Sequence, residues 1–396
     1  MVQVLFLAHR YPYPPNKGDK IRAFHIAEYL RKTHEVSLGF VMTPGDSEPD
    51  MSWAEANFSA RYCGRISQLD RLTRAGGAFA TGTPLSVAVF RHGGLMNWVA
   101  AQISEKKPQF IYVFSSAMAQ YVPRDLPAGT QVILDFVDVD SAKWRQYAET
   151  QSMGRRWFYG TEARRLLAFD RAQAARAQAS LFVSDDEKRI FDRLSPETAE
   201  RHVAMGNGVD LTFFDPRAVG PAPRTRKTIV FVGMMDYWPN VDAVSWFAKE
   251  ILPLVRMRHG DVIFQIVGAR PTAAVTALGA LKGVEVTGSV PDVRPYVAAA
   301  SVVVAPLRIA RGIQNKVLEG MAMARPVVTT PGALEGINAV HGRDLLVGET
   351  PGELAGAVLS VLEGRAMAGL GAAARAFVVA NHEWATNLRK LDDLMR

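Results

Sequence analysis

Hydrophobic runs of the length of buried strands alternate with amphipathic segments along almost the whole chain. In the first half these runs are VQVLFLA, HEVSLGFV, QFIYVFS, QVILDFVDV and ASLFVS, with a helix predicted from about Lys20 to Lys32. In the second half they are TIVFVGMM, DVIFQIVG, VEVTGSV, ASVVVAPL, RPVVTT and DLLVG. Strands that alternate with helices are typical of parallel sheets covered by helices. The pattern therefore predicts two doubly wound α/β domains.

The segment DPRAVGPAPRTRK at residues 215–227 interrupts this alternation, and its proline, glycine and arginine are typical of a domain boundary. We therefore predict one domain at residues 1–215 and a second at 216–375. A C-terminal helix at 376–396 is predicted to pack back on the first domain. Ligands of open α/β sheets bind beyond the carboxyl ends of the strands, so we expect the two domains to face each other across a cleft.

Composition narrows the classes of partner. The chain has 396 residues, 48% of them hydrophobic, and a formal charge of +7 without a basic tail or block. This diffuse excess of positive charge suits an anionic substrate or an anionic membrane surface and argues against nucleic acid.

Cys63 is the only cysteine, which excludes an intramolecular disulfide and a cysteine zinc site and fits the cytoplasm. The histidines form no HExxH pair, so we predict no metal site. No run has the length of a membrane span, so any membrane contact must be peripheral.

The stretch Val302–Thr330 reads as a buried strand, a glycine turn, a helix that begins near Ile313, and a second buried strand. Lys316 and Glu319 are three residues apart, so they share a face in the first turns of that helix, beside unpaired backbone N–H groups. An ammonium and a helix N-terminus suit a diphosphate, and a carboxylate suits the hydroxyls of a ribose. The alternatives are a solvated lysine and a surface ion pair between the two side chains. The small apolar run GMAMA favours a buried helix instead.

The corresponding edge of the first domain follows VLFLA. Prolines there forbid regular structure, Gly18 permits a close backbone approach, and the next helix starts with Asp19, Lys20 and Arg22 at its mouth. Asp19 either contacts an acceptor or is an ordinary acidic residue of a helix N-terminus. His9, which is close to the same strand end, is open to either role.

A second acidic group of the first domain lies in DFVDVDSAKW, where a strand gives way to a helix. Asp138 and Asp140 are expected to alternate onto one face of the strand, so that one of them could orient an acceptor hydroxyl or act as a base. The alternative for Asp140 and Ser141 is to cap the next helix.

Two further stretches combine basic and apolar side chains. Residues 154–176 mix Trp, Phe and Tyr with many arginines, and residues 71–95 mix basic, glycine and apolar residues. Either stretch could touch anionic lipid, and the alternative is an amphipathic helix that packs inside the protein.

Four motifs together resemble those of the GT-B glycosyltransferases. They are GNGVDLTFF at 206–214, FVGMMDYWPNVDA at 231–243, GSVPDVRPYVAAASVVVAPL at 288–307 and GIQNKVLEGMAMARPVV at 312–328. Their order resembles glycosyltransferase family 4, and more narrowly a branch of sugar transferases associated with exopolysaccharide and protein-sorting loci. The resemblance implies a GT-B fold of two Rossmann-like domains. It also implies a donor site in the second domain, an acceptor site in the first, retention of anomeric configuration, and no requirement for a cofactor or metal.

The resemblance also assigns residues. Glu319 matches the family glutamate that binds the ribose, whereas Arg311 stands where the family has a second glutamate near the sugar. An arginine and a lysine that the family places after the first strand of this domain are absent here. Arg308, Arg311 and Lys316 are the natural substitutes on the diphosphate. The donor-binding set implied is Gly18, Gly233, Arg311, Gly312, Ile313, Lys316 and Glu319, and the catalytic set is Lys316, Arg308, and Asp138 or Asp19 on the acceptor side.

The resulting hypothesis is a hexosyltransferase. It would move a hexose from a UDP- or GDP-linked donor to a hydroxyl of a lipid-linked or polysaccharide acceptor, in the cytoplasm at the inner face of the membrane. Two alternatives stay open. One is a GT-B nucleotide-sugar epimerase or hydrolase, and the other is a protein that binds a sugar or nucleotide without turnover.

Overall fold

The computed structural model describes residues 1–15, 18–46, 48–149, 152–220, 226–310 and 312–396. The chain divides into two compact units, Met1–Met205 with Leu388–Arg396, and Gly206–Asn387. The predicted boundary at residue 215 differs from this division by ten residues. Segment 206–215 joins the second unit because Val209 forms a bridge with Glu383 and Phe214 packs in that unit's core.

The first unit is built on a parallel sheet of seven strands in the order β3-β2-β1-β4-β5-β6-β7. Its strands are β1 Val2–Ala8, β2 His34–Met42, β3 Arg61–Arg65, β4 Phe110–Phe114, β5 Gln131–Val137, β6 Ala179–Phe182 and β7 His202–Ala204. Its helices are α1 Gly18–Leu30, α2 Ser52–Asn57, α3 Gln68–Thr81, α4 Leu85–Ala88, α5 Gly93–Lys106, α6 Asp140–Glu149, α7 Met153–Ala174 and α8 Asp185–Leu194, with 3-10 turns at Ser116–Tyr121 and Pro196–Arg201.

The second unit is built on a parallel sheet of six strands in the order β10-β9-β8-β11-β12-β13. These strands are β8 Thr228–Val232, β9 Ile263–Val267, β10 Val284–Gly288, β11 Val302–Ala305, β12 Val327–Thr329 and β13 Leu346–Val347. The helices are α9 Trp238–Trp246, which continues through a π turn at Phe247–Ile251 into α10 Leu252–Arg256, then α11 Ala273–Leu278, α12 Arg294–Ala299, α13 Asn315–Ala322, α14 Pro331–Leu334, α15 Pro351–Leu362 and α16 Leu370–Asn381.

The last helix, α17 Trp384–Leu394, begins in the second unit and enters the first at Leu388. Within the first unit, Tyr29 on α1 donates a 2.8 Å hydrogen bond from its hydroxyl to Asp392, and Lys390 donates a 2.6 Å bond to the carbonyl of Ala204.

Both sheets are covered on both faces, which explains why their strands are almost continuously apolar. In β8, Ile229 and Phe231 lie in one core cluster of the second unit, whereas Val230 between them lies in the other. The predicted doubly wound α/β architecture is therefore confirmed. None of the helices in the described ranges is both long and apolar enough to cross a membrane.

Candidate functional site in the second unit

The order of the strands in the second unit reverses between β8 and β11, and such a reversal is where open α/β sheets bind ligands, beyond the carboxyl ends of the strands. Gly233 and Gly268 follow the strands β8 and β9 at this edge, and Gly288 ends the outer strand β10. Gly233 donates its N–H to the carbonyl of Val267 at 3.1 Å, and Gly268 donates to Gly288 at 3.2 Å. Gly268 has φ +153°, and a Cβ there would lie 1.7 Å from the Gly233 carbonyl oxygen. These chain segments therefore touch backbone to backbone.

Helix α13 begins beside this edge, two residues later than predicted. Gln314 at its N-cap position makes no side-chain capping hydrogen bond. In the same unit Thr272, Thr330 and Thr350 cap the helices α11, α14 and α15, whereas α9, α12 and α16 lack a side-chain cap as α13 does. The first N–H groups of a helix have no intrahelical partner, so an uncapped N-terminus favours an anion.

Lys316 is the second residue of α13 and extends toward α9. Its Nζ donates a 3.0 Å hydrogen bond to Oδ1 of Asn240, and it lies 5.4 Å from the centre of the Phe231 ring. Asn240 is buried and is itself oriented by a 2.9 Å bond from its Nδ2 to the carbonyl of Met234. Burial lowers the pKa of Lys316 to about 8, although the charge of Glu319 opposes the shift. Lys316 is therefore a partly desolvated ammonium held by an amide.

Glu319 lies one turn deeper in α13. Its carboxylate accepts no hydrogen bond and forms no ion pair with any residue in the described part of the chain, so the surface pair with Lys316 is absent. Burial raises the pKa of Glu319 to about 7, although the charge of Lys316 opposes the shift. The neighbours Gly320, Met321 and Ala322 are buried, which confirms that the helix is enclosed on much of its circumference. A carboxylate in such surroundings is suited to accept hydrogen bonds from a ligand's hydroxyl groups.

Arg308 follows β11 at the same edge but is already paired. It forms an ion pair with Asp242 on α9, with 3.1 Å between its Nε and Oδ2, and its guanidinium lies 5.0 Å from the centre of the Trp246 ring. The predicted contact of Arg308 with a diphosphate therefore requires it to exchange Asp242 for phosphate. Its charge is balanced in the structure, whereas that of Lys316 is not.

The remaining residues of the predicted donor set are placed as follows. Arg311 lies outside the described residues. Gly312 is buried with φ +65°, a conformation that favours glycine, and its carbonyl accepts a 3.1 Å bond from the Gln314 side chain. The Ile313 side chain packs against the core, which leaves its backbone for a ligand. A Cβ at Gly233 would come within 2.7 Å of Asn240 Nδ2, so this glycine also serves packing.

At the carboxyl edge of the first unit, Asp19 is held by two neighbours. Its carboxylate lies 3.3 Å from His9 Nε2 and 3.1 Å from Arg10 Nη1. Burial raises the pKa of a carboxyl, but the hydrogen bond from His9 and the charges of His9 and Arg10 outweigh it and hold the pKa of Asp19 well below its usual range. Gly18 is exposed as the first residue of α1. Asp19 is thus a permanently ionised group with little affinity for a proton.

Asp138 occupies a turn, so the expectation that it shares a strand face with Asp140 is wrong. Strand β5 ends at Val137, whose φ of +68° turns the chain, and α6 begins at Asp140. Both carboxylates instead contact Lys143, at 2.8 Å from Asp138 and 3.1 Å from Asp140. Burial lowers the pKa of an ammonium, but these two carboxylates hold the pKa of Lys143 above its usual range. Asp138 Oδ1 is buried without a hydrogen bond to a described residue.

Arg22 is not at the mouth of the first unit but inside it. Its side chain is fully buried and makes two hydrogen bonds to Asp135, at 2.9 and 3.1 Å, and a third to the carbonyl of Met205 at 2.7 Å. Tyr112 donates a further 2.7 Å bond to Asp135. This cluster joins α1, β4, β5 and the end of β7, so Arg22 has a structural role rather than a phosphate contact.

The comparisons with known proteins agree with this architecture. Solved glycosyltransferase structures share the fold over the whole chain, and the fold class is GT-B, as predicted. Sucrose-phosphate synthase from Thermosynechococcus elongatus is 16% identical with a TM-score of 0.72, covering 100% of this chain and 98% of that one. HepE from Anabaena, solved with UDP and glucose, is 15% identical with a TM-score of 0.65, covering 99% of both chains. WaaG, a glycosyltransferase involved in lipopolysaccharide biosynthesis, is 16% identical with a TM-score of 0.66, covering 99% of both.

The sequence itself carries the more specific finding. Residues 226–364 match the family described as Glycosyl transferases group 1, and this segment contains β8, α13, Asn240, Lys316 and Glu319. A search of curated protein sequences gave no match. The family match confirms the predicted enzyme class, a glycosyltransferase.

Two residues of the site were not among the predicted ones. Asn240 orients Lys316, and Asp242 pairs with Arg308. Both lie in the motif FVGMMDYWPNVDA, where the resemblance indicated only that two basic family residues are absent. Nothing in the local pattern shows that α9 supplies an amide and a carboxylate to side chains more than sixty positions away.

Proposed function

We propose that this protein is a retaining, metal-independent hexosyltransferase of glycosyltransferase family 4, close to the exopolysaccharide branch. It would transfer a hexose from a nucleotide-diphosphate sugar to a hydroxyl of a lipid-linked or polysaccharide acceptor, in the cytoplasm at the inner face of the membrane. The observation that carries the proposal is the pair Lys316 and Glu319, whose ammonium and carboxylate lie on one enclosed helix and form no ion pair with each other or with any other described residue.

The donor is assigned from the chemistry of this pair. The diphosphate would sit at the uncapped N-terminus of α13, where Lys316 and the helix dipole balance its charge, and the ribose hydroxyls would donate to Glu319. UDP is the first nucleotide to test because HepE was solved with UDP and with UDP-glucose. GDP is the second.

Lys316 has the main catalytic role in this proposal. As the bond between the anomeric carbon and the diphosphate breaks, its electron pair moves onto the diphosphate oxygen, and a fixed ammonium stabilises that charge most where water is excluded. A diphosphate beside Lys316 would also raise the lysine pKa from about 8, so that the ammonium form persists in the complex. No metal ion is required for this balance of charge.

The acceptor side is assigned to the first unit. Asp19 is held ionised by His9 and Arg10, which makes it a poor base, and Asp138 already contacts the Lys143 ammonium, so we assign both carboxylates to accepting a hydroxyl hydrogen bond. In a transfer with retention the departing phosphate oxygen lies on the face that the incoming hydroxyl attacks, and it can take the proton itself. We therefore assign Asp138, with its unbonded oxygen, to orienting the acceptor hydroxyl, and Asp19 to a secondary role there.

The test is calorimetric titration of UDP, and in parallel GDP, into the wild-type protein and two variants, Lys316→Ala and Glu319→Ala. The chain offers a matched control because Lys282 and Glu285 have the same spacing but are exposed in the same unit. UDP or GDP should bind the wild type and the variants Lys282→Ala and Glu285→Ala, and should bind Lys316→Ala and Glu319→Ala at least about tenfold more weakly. Equal affinity in all five proteins would exclude this donor site.

Measurements of turnover then distinguish a transferase from a hydrolase or epimerase and from a non-catalytic protein. Incubation of the wild type with the cognate UDP- or GDP-sugar in the presence of a chelator should release nucleotide faster when glycan or lipid-linked acceptors are added, and NMR should show that the product keeps the donor's anomeric configuration. Release that no acceptor accelerates would favour the hydrolase or epimerase, and binding without release would favour a non-catalytic protein.

A further inference from the structure

The first unit carries a large apolar surface formed by α3 and the first turn of α7. Its members are Leu69, Leu72, Phe79, Met153 and Trp157, whose side chains and backbone are 70%, 63%, 49%, 87% and 64% exposed. Exposed single apolar residues are ordinary, but five large ones on two adjacent helices are not. We refer to these five residues as the apolar surface.

Helix α3 has its apolar side turned outward. Leu69, Leu72 and Phe79 recur at the spacing of one helical face, with small Gly76 between the last two, and all four are exposed. The opposite side carries Ala78, which is buried, and Arg74, whose side chain is 24% exposed and forms a 3.3 Å ion pair with Asp70. A helix that packs inside a globular unit shows the reverse arrangement. The alternative of ordinary amphipathic packing therefore does not explain α3.

Helix α7 continues the surface. The ring of Phe79 lies 6.1 Å from that of Phe158, the residue after Trp157, and Arg165 donates a 3.2 Å hydrogen bond to the carbonyl of Ala78. These contacts fix the end of α3 against α7. The first turn of α7, residues 153–157, is exposed at every position.

The exposed charged side chains of α7 are all positive, whereas Asp70 of α3, whose side chain is 44% exposed, is paired with Arg74. Arg155 and Arg156 are exposed between Met153 and Trp157, and Arg164 is exposed two turns further along α7. The acidic residue of this part of α7, Glu162, is buried and accepts hydrogen bonds from the N–H groups of Leu85 and Ser86 at 2.9 and 2.8 Å. It therefore does not offset the arginines at the surface.

We infer that α3 and the first turn of α7 form a docking surface for an anionic lipid bilayer. Apolar side chains flanked by arginines are what the boundary between headgroups and acyl chains accommodates, with the apolar groups inserted and the guanidinium groups on the lipid phosphates. The inference adds a defined surface to the proposed lipid-linked acceptor, and it does not depend on the donor site because lipid binding needs no nucleotide sugar.

The experiment is flotation of the purified protein with vesicles of phosphatidylcholine alone and of phosphatidylcholine with about one third phosphatidylglycerol, at low and high salt. We expect the wild type to bind the anionic vesicles at least about tenfold better, and salt to weaken that binding. Leu69→Asp with Leu72→Asp, and Arg155→Glu with Arg156→Glu, should each lower the bound fraction at least fivefold.

Two control pairs carry the same changes on exposed positions of the second unit. Met257→Asp with Leu281→Asp matches the apolar pair, and Lys249→Glu with Lys282→Glu matches the change in net charge. The inference would be overturned if the controls lost vesicle binding as strongly as the test variants, or if the wild type did not bind anionic vesicles. A third outcome would also overturn it. If the wild type does not float with vesicles, and light scattering shows a dimer that Leu69→Asp with Leu72→Asp dissociates, the apolar surface binds a second copy of the chain. Nucleotide affinity of each variant, measured separately, distinguishes failure here from failure of the donor site.

Discussion

Each unit of this protein encloses oppositely charged side chains, and the two sets differ in how completely they are satisfied. In the first unit, Arg22 and Asp135 bond to each other directly and are completed by Tyr112 and a backbone carbonyl. In the second, Lys316 has one amide partner, and the Glu319 carboxylate has none within the described residues. A charge that the fold satisfies serves the fold, whereas a desolvated charge left without partners is maintained for something that binds.

The pKa shifts of these buried groups show the same difference between the two units. Burial lowers the pKa of Lys316 to about 8 and raises that of Glu319 to about 7, so each is shifted toward its neutral form. Burial also lowers the pKa of Arg22, but the charge of Asp135 outweighs it and leaves that pKa raised, so Arg22 stays charged. A dianionic ligand with hydroxyl donors would therefore stabilise the charged forms of Lys316 and Glu319 in the second unit.

The largest expected effect comes from breaking the satisfied pair. Asp135→Ala leaves the Arg22 charge buried without a counterion, and we expect the free energy of unfolding of the first unit to fall by about 3–5 kcal/mol. Urea denaturation followed by tryptophan fluorescence measures it. Replacing both residues, Arg22→Met with Asp135→Leu, should recover most of the loss because no charge is then left buried. A single variant that loses less than about 1 kcal/mol would show that the pair is not structural.

Removing the Lys316 ammonium should lower the activity without lowering the stability of the fold. Lys316→Ala should lower kcat/KM for the nucleotide sugar about 100-fold, equivalent to about 2.7 kcal/mol, because the charge on the leaving diphosphate loses its main counterion. The melting temperature should stay equal to or above that of the wild type, since a desolvated charge has been removed. Lys316→Arg is expected to recover part of the activity, and Lys282→Ala should change nothing. A parallel loss of stability and activity would mean that Lys316 supports the fold.

The sequence was sufficient for the features that depend on local spacing. The periodicity of apolar runs predicted two doubly wound units, and the three-residue spacing placed Lys316 and Glu319 on one face of an enclosed helix. Features that depend on distant contacts could not be predicted in this way. Asn240 meets Lys316 across 76 positions, and no residue near Arg22 indicates that Asp135 lies beside it.

The local misassignments have equally physical causes. The run QVILDFVDV is apolar at six of its nine positions, which predicts a strand that continues through Asp138 to Val139. The left-handed φ of Val137 ends the strand two residues early, and a β-branched residue gives no sequence signal for that conformation. The position of Arg22 in the first turns of the helix that follows Gly18 predicts a place at its mouth. Its burial depends on Asp135, which lies far away in the sequence.

The pH dependence of stability provides a smaller effect. The pKa of Glu319 is raised from 4.5 to about 7 on folding, so the folded state binds more protons than the unfolded state between these values and loses stability as the pH rises through that window. Glu319→Gln should remove this fall, a difference on the order of 1 kcal/mol after allowance for partial solvent exposure. Thermal unfolding of both proteins at pH 5, 6 and 7 measures it. The exposed control Glu285→Gln should follow the wild type, and a Glu319→Gln curve identical to the wild type would show that this carboxyl is not desolvated.

The smallest effect should come from Arg308, because Asp242 already balances its charge and Trp246 already covers its guanidinium. An exposed ion pair of this kind contributes about 0–1 kcal/mol, so Arg308→Ala should change UDP affinity less than about threefold, compared with tenfold or more for Lys316→Ala. The variant Asp242→Asn tests whether this ion pair keeps Arg308 away from the diphosphate. If the ion pair withholds Arg308 from the diphosphate, releasing it should tighten UDP binding in Asp242→Asn but not when Arg308→Ala is added. A loss in Arg308→Ala as large as that in Lys316→Ala would instead show that Arg308 leaves Asp242 when the nucleotide binds, and both cations would then share the diphosphate.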